Sequence, residues 1–253
     1  MNKNVQETID SSLQRLSECL EAGRSETLTG YLKAMARFHA YSWFNVLLVY
    51  MQRPSATRVA GYQTWKKVGR WVRRGETGIT ILAPMLEKDD AGETNLFGFK
   101  PVRVYDIAQT DGRNLPKFDS VHGDPRHFYS SLVKLAWDQD IEVEYVDGLG
   151  GADGVSMGGR IEILEELKPA ERFSVLAHEL AHELMHRGEC DKDRRTKELE
   201  AEAVAYVVSS VIGLNSRAQS TDYIHLYGGD GQKLAASLKA IQQTSAFMLS
   251  AIL

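Results

Sequence analysis

The stretch HELAHELMH, residues 178–186, limits what this chain can be more than any other segment. His178 and His182 stand four positions apart, so a helix turns both imidazoles to one face. Glu179 lies one position round from them. This is the H-E-x-x-H pattern, in which two histidines hold one metal ion and the glutamate acts as general base. The chemistry needs a real helix, and the flanks predict one. GRIEIL (159–164) alternates as a strand, and Pro169 can open the helix. A second helix is expected over about 192–212.

A catalytic zinc takes three protein ligands and keeps one position open. KELEAEAVAY (197–206) offers Glu198, Glu200 and Glu202. Glu202 follows His182 by 20 residues, the spacing of thermolysin-like zinc peptidases, and is the expected third ligand. Glu198, on the same helix face, is the alternative. Glu200 is expected to point away from both. His186, one turn beyond His182, is expected to support a ligand or to pack, and His39, His122, His127 and His225 to be structural or at the surface. Tyr206, Tyr223 and His225 are candidate donors to an oxyanion. GRIEIL is expected to offer an edge on which an extended peptide pairs.

The first half carries a different signal. SATRVAGYQTWKKVGRWVRRG (55–75) contains Arg58, Lys66, Lys67, Arg70, Arg73 and Arg74 and no acid, with Tyr62, Trp65 and Trp71 interleaved. Cations that follow phosphates, beside aromatic faces on which bases stack, suit single-stranded nucleic acid. Residues 1–120 hold 17 Lys and Arg against 13 Asp and Glu, while 121–253 hold 13 against 21, for a net charge of −4. The turn-rich DGRNLPKFDSVHGD (111–124) is the expected boundary between the halves, with Asp124 and Pro125 opening a helix to about residue 138.

Further helices are expected over 5–22, 26–38, 43–52 and 231–249, and strands over 78–84, 101–107 and 141–146, with 87–95 as a hairpin loop. With 43 % hydrophobic and 25 % charged residues, the chain has the composition of a folded protein. No apolar run approaches the roughly 18–20 residues of a membrane helix, and the polar N-terminus lacks a signal-peptide pattern. Cys19 and Cys190 are too few for a disulfide framework. The expectation is a cytoplasmic protein without a membrane partner.

Residues 41–84, YSWFNVLLVYMQRPSATRVAGYQTWKKVGRWVRRGETGITILAP, together with VYDIAQTDG (104–112), resemble the N-terminal domain of the ArdC antirestriction family and related conjugative primases. The HELAHELMH and ELEAEAVAY segments resemble the ImmA/IrrE-type zinc peptidase domains. The resemblance implies an α+β protein of two domains, a single-stranded-DNA-binding domain over 1–120 and a zinc metallopeptidase domain over 121–253. By that likeness Trp43, Asn45, Gln52, Trp65, Gly69, Arg70 and Gly75 are positions of the family pattern. Trp43 and Asn45 thereby join the residues expected at DNA. The implied partners are single-stranded DNA and a protein substrate whose identity is unknown.

Overall fold

The computed structural model describes residues 3–22, 24–88, 93–114, 125–189, 191–214 and 230–253. Helix α1 (Lys3–Glu21) buries Ile9, Leu13, Leu16 and Leu20, an i, i+4, i+7 stripe, against α2 (Ser25–Arg37) and α3 (Trp43–Gln52). A three-stranded antiparallel sheet follows, with β4 (Thr94–Asp106) between β1 (Val59–Gly61) and β3 (Ile79–Lys88). A helix α4 (Tyr62–Lys67) and a small ribbon of β2 (Arg70–Val72) with β5 (Thr110–Gly112) complete this half.

β3 is an edge strand of its sheet, and an open edge is a template for unwanted pairing. Two side-chain amides of α3 close it. Asn45 donates to the Leu82 carbonyl and accepts the Leu82 N–H, both at 2.9 Å. Gln52, two turns later, does the same with Thr80 at 2.8 and 2.9 Å. Each amide therefore stands in for one residue of a neighbouring strand. Asn45, expected at DNA, is buried in this joint between helix and sheet.

In the second half, α5 (Arg126–Asp138) precedes a sheet of order β6-β8-β7. β6 (Glu142–Val146) runs parallel to β8 (Arg160–Leu164), and β7 (Gly154–Ser156) is antiparallel to it. β8 is therefore central, and the open edge expected of GRIEIL falls to β7 instead. Sequence reading missed β7 because it is three residues long and begins with a glycine. Asp124, the expected cap of α5, lies outside the described residues.

α6 (Pro169–His186) has proline in its first turn, as expected, and packs on β7, β8 and α7 (Arg194–Val211). Phe173, Leu176, Ala177, Leu180 and Ala181 of α6, and Ala201, Val204, Val207 and Val208 of α7, are fully buried. The small residues let the two helices come close. α8 (Gly231–Ile252) lies against α7 and also reaches α1 and α3, while α2 packs on α7. One apolar core thus runs through both halves.

Asp106 ties β1, β4 and the 3₁₀ turn Ile107–Gln109 together. Its buried carboxylate accepts the N–H groups of Thr57, Arg58 and Ala108 at 2.8, 3.0 and 3.1 Å. Asp106→Ala strands three donors, and we expect a loss of about 3 kcal/mol in urea unfolding. A loss below about 1 kcal/mol would show that water replaces the carboxylate there.

Candidate metal centre and nucleic-acid surface

α6 brings its two expected ligands to one point. The Nε2 atoms of His178 and His182 lie 3.1 Å apart. A Glu198 oxygen stands 3.5 Å from the first and 3.6 Å from the second. Ligand atoms about 2.0–2.1 Å from a tetrahedral zinc are separated by about 3.3 Å. The three spacings therefore fit one ion, and these residues are a group able to hold a metal among the described residues. Glu202, one turn after Glu198, lines the same cleft without joining the group. The geometry thus brings forward the alternative ligand, Glu198.

Both glutamates belong to α7. Asp193 caps the helix by accepting the Thr196 N–H at 3.0 Å. Glu198 and Glu202 lie one turn apart on the same face of α7, and Glu198 is the one whose carboxylate stands within 3.6 Å of both imidazoles.

Glu179 is almost buried beside the histidines, against Gly154 and Ser156 of β7. Burial, reinforced by the Glu198 charge, pushes its carboxyl up to about 7 despite hydrogen bonds from Ser156. Burial also lowers His182, to about 4, and His178. Both imidazoles are therefore neutral at pH 7, the state in which they can bind a metal. Gly154 is needed where it is, since a Cβ there would stand 2.5 Å from Val175 and 3.1 Å from the Glu179 side chain. These groups open on a cleft of about 390 Å³ that also touches Asp153, Glu202 and Tyr206. Of the candidate oxyanion donors, Tyr206 is at the cleft, while Tyr223 and His225 lie outside the described residues.

Sequence reading missed Glu183. Its carboxylate accepts the N–H groups of Gly158 and Gly159, each at 2.7 Å. Both glycines have positive φ (76° and 107°), so this turn exposes adjacent donors, and Glu183 thereby locks the β7–β8 turn onto α6. An acidic residue directly after the H-E-x-x-H pattern carries no signal of such a role.

The residues expected at DNA divide sharply. Trp65 is buried, its indole N–H donating to the Tyr105 carbonyl at 2.8 Å. Arg70 is buried too, its guanidinium held by Thr110 and the Arg113 carbonyl at 2.6–2.7 Å. With Asn45, these shape the domain and present no face to a base. Trp43 lines a groove with Asp10, Glu18, Glu21 and Asp230, whose charges repel phosphate. Arg58 is half-buried, its backbone N–H held by Asp106. Tyr62, Lys66, Lys67, Trp71, Arg73 and Arg74 remain exposed, with Trp71 54 % accessible. β2 explains the split between neighbours, since successive residues face opposite sides and Arg70 points in while Trp71 points out. Arg73 is partly neutralised by Glu76 at 2.7 Å and Asp111 at 3.4 Å.

The Glu179 shift sets a pH dependence. A carboxyl whose pKa is raised on folding adds stability below its unfolded pKa and loses it as pH rises through the folded value. In metal-free protein the stability advantage of Glu179→Gln over wild type should grow by about 2–3 kcal/mol from pH 4.5 to pH 8. Denaturant unfolding with chelator measures it, and a difference flat across that range contradicts the burial argument.

Comparison with known proteins agrees with this architecture. Residues 1–113 match the N-terminal domain of anti-restriction factor ArdC, and residues 138–248 match the IrrE N-terminal-like domain. The metal-free crystal structure of the antirestriction ArdC protein from plasmid R388 superposes with a TM-score of 0.61 at 18 % identity, covering 96 % of this chain and 97 % of that one. The Mn(II)-bound structure of the same protein gives 0.55 at 16 %, covering 88 % and 97 %. An uncharacterised protein of Bacillus anthracis is 24 % identical over 83 % of this chain, which spans 44 % of that protein's length. The chain therefore joins an ArdC-type N-terminal domain to an IrrE-like peptidase-type domain, in the two-domain α+β fold of the ArdC antirestriction protein.

Proposed function

We propose that this protein is a single-stranded-DNA-binding zinc metallopeptidase of the antirestriction type, with His178, His182 and Glu198 as the metal ligands. The observation that carries the reading is the convergence of three ligand atoms at spacings of 3.1, 3.5 and 3.6 Å beside a buried carboxylate. Mn(II) in the R388 relative supports a metal in this fold. Zinc, when bound, supplies a Lewis acid that activates water and polarises a carbonyl.

The chain's own residues do the rest. Glu179 accepts a proton from water and passes it to the leaving nitrogen, and its raised pKa suits a group that both takes and returns a proton near neutral pH. The open edge of β7 pairs with an extended peptide and lays it across the cleft. Tyr206, which lines the same cleft, is the donor we assign to a developing oxyanion. Glu202 holds the cleft wall one turn from Glu198.

The other activity belongs to the exposed face of α4 and β2. Tyr62 and Trp71 offer surfaces for bases, while Lys66, Lys67, Arg73 and Arg74 meet phosphates. Stacking is worth about 1–3 kcal/mol per base, so Trp71→Ala should weaken binding of a fluorescent oligothymidine about 5- to 150-fold without unfolding the domain. Unchanged affinity removes Trp71 from the surface. Among the described residues no helix is long and apolar enough to cross a membrane.

Glu179→Gln tests the peptidase directly. It should abolish cleavage of a peptide library while leaving zinc content and oligothymidine affinity as in wild type. Cleavage that survives the change contradicts the proposed role of Glu179. A wild type that binds zinc and DNA but cuts nothing points to a protein that acts by covering DNA.

A further inference from the structure

Behind the two histidines lies a polar cluster that the proposed reaction does not use. His186 Nδ1 stands 3.1 Å from His182 Nδ1, and His186 Nε2 stands 2.9 Å from a Glu200 oxygen. Glu200 is wholly buried, and it also accepts from Lys192 at 2.9 and 3.2 Å and from Ser237 of α8. Three helices and the α6–α7 link thus supply one buried hydrogen-bonded chain. A wholly buried carboxylate with four donor contacts is expensive to build, because each member must be desolvated.

With Glu200 a carboxylate and His186 a neutral imidazole, one order of donors and acceptors satisfies every contact in the chain. Glu200 as carboxylate only accepts, so the His186 proton in that contact is on Nε2. His186 Nδ1 then carries a lone pair and accepts, which places the His182 proton on Nδ1. His182 Nε2 is left with its lone pair facing His178 and Glu198.

We propose that His186 and Glu200 are positioning residues that fix the tautomer and ring angle of His182 through this relay, so that its Nε2 is presented to a metal ion. The inference rests on the proposed metal centre and extends it into the core. A ligand imidazole usually donates its far N–H to a carboxylate or carbonyl directly. Here a second histidine is interposed, and the carboxylate sits on α7 two residues from Glu198. The same helix therefore supplies one ligand and the anchor of another. Ser237 extends the anchor to α8, the helix that also meets α1 and α3.

The test uses the full chain and zinc alone, with affinity measured by competition against a chromophoric chelator. His186→Phe keeps the volume and removes both bonds. His186→Gln keeps one acceptor and one donor, and Glu200→Gln keeps the shape without the charge. Loss of such a partner typically costs 10- to 100-fold in metal affinity. His186→Phe and Glu200→Gln should each fall in that range, with His186→Gln recovering at least half of the loss on a logarithmic scale. Cobalt-substituted His186→Phe should also show an altered visible spectrum, which a change in global stability alone does not produce. Wild-type affinity in either folded variant overturns the relay, as does a His186→Gln no better than His186→Phe. Should His186→Phe not fold, Glu200→Gln and His186→Gln decide by the same criteria. A wild type that takes up no zinc refutes the metal centre itself, which is a separate outcome.

Discussion

Two imidazoles four residues apart converge only if the helix between them is regular, and only if a third element crosses it at the right height. Everything in the second half of this protein serves that requirement. The apolar side of α6 is buried through Phe173, Leu176 and Leu180. Alanines on α6 and α7 allow the close approach that brings Glu198 within 3.6 Å of both rings. Glu183 fastens the β7–β8 turn to the same helix, and Gly154 makes room for Glu179. The site is a by-product of packing that would be needed in any case, with charge placed where the packing leaves a cleft.

Burial and charge are balanced across α6 and α7. Toward the cleft, desolvation keeps His178 and His182 neutral and holds a proton on Glu179 at moderate pH. Away from the cleft, Glu200 keeps its charge because donors surround it. The first arrangement leaves groups ready to exchange a partner, and the second leaves none free. On α6, a single turn separates His182 at the cleft from His186, which meets Glu200 of α7.

The α6 signature was legible because four-residue spacing on a helix is a local property. So were α1 and α3, whose hydrophobic periods are equally local, whereas the long strands were read only in part, since β3 runs on to Lys88 and β4 begins at Thr94, inside the stretch expected as a hairpin loop. Which glutamate of α7 stands nearest the histidines was not, since Glu198 and Glu202 share a face and no spacing rule says which of the two lies within 3.6 Å of the rings. Glu200 misled in the other direction. It does turn away from Glu198, as a regular helix requires, but into a buried cluster with His186 that no spacing rule announces. In the first half, composition marked a basic and aromatic stretch without saying which side chains face out. A two-residue period in β2 separates Arg70 from Trp71, and the indole hydrogen bond to Tyr105 takes Trp65 into the core. Asn45 and Gln52 closing the edge of β3 depend on contacts across more than 25 residues, which a single sequence cannot display.

The most direct measurement of the central claim is zinc stoichiometry and affinity for Glu198→Gln beside Glu202→Gln in otherwise wild-type protein. The account predicts one zinc per chain in wild type, affinity reduced by at least 100-fold in Glu198→Gln, and a much smaller change in Glu202→Gln. The reverse order would return the third ligand to Glu202, and equal, undiminished affinity in both variants would contradict a metal centre built from His178, His182 and α7.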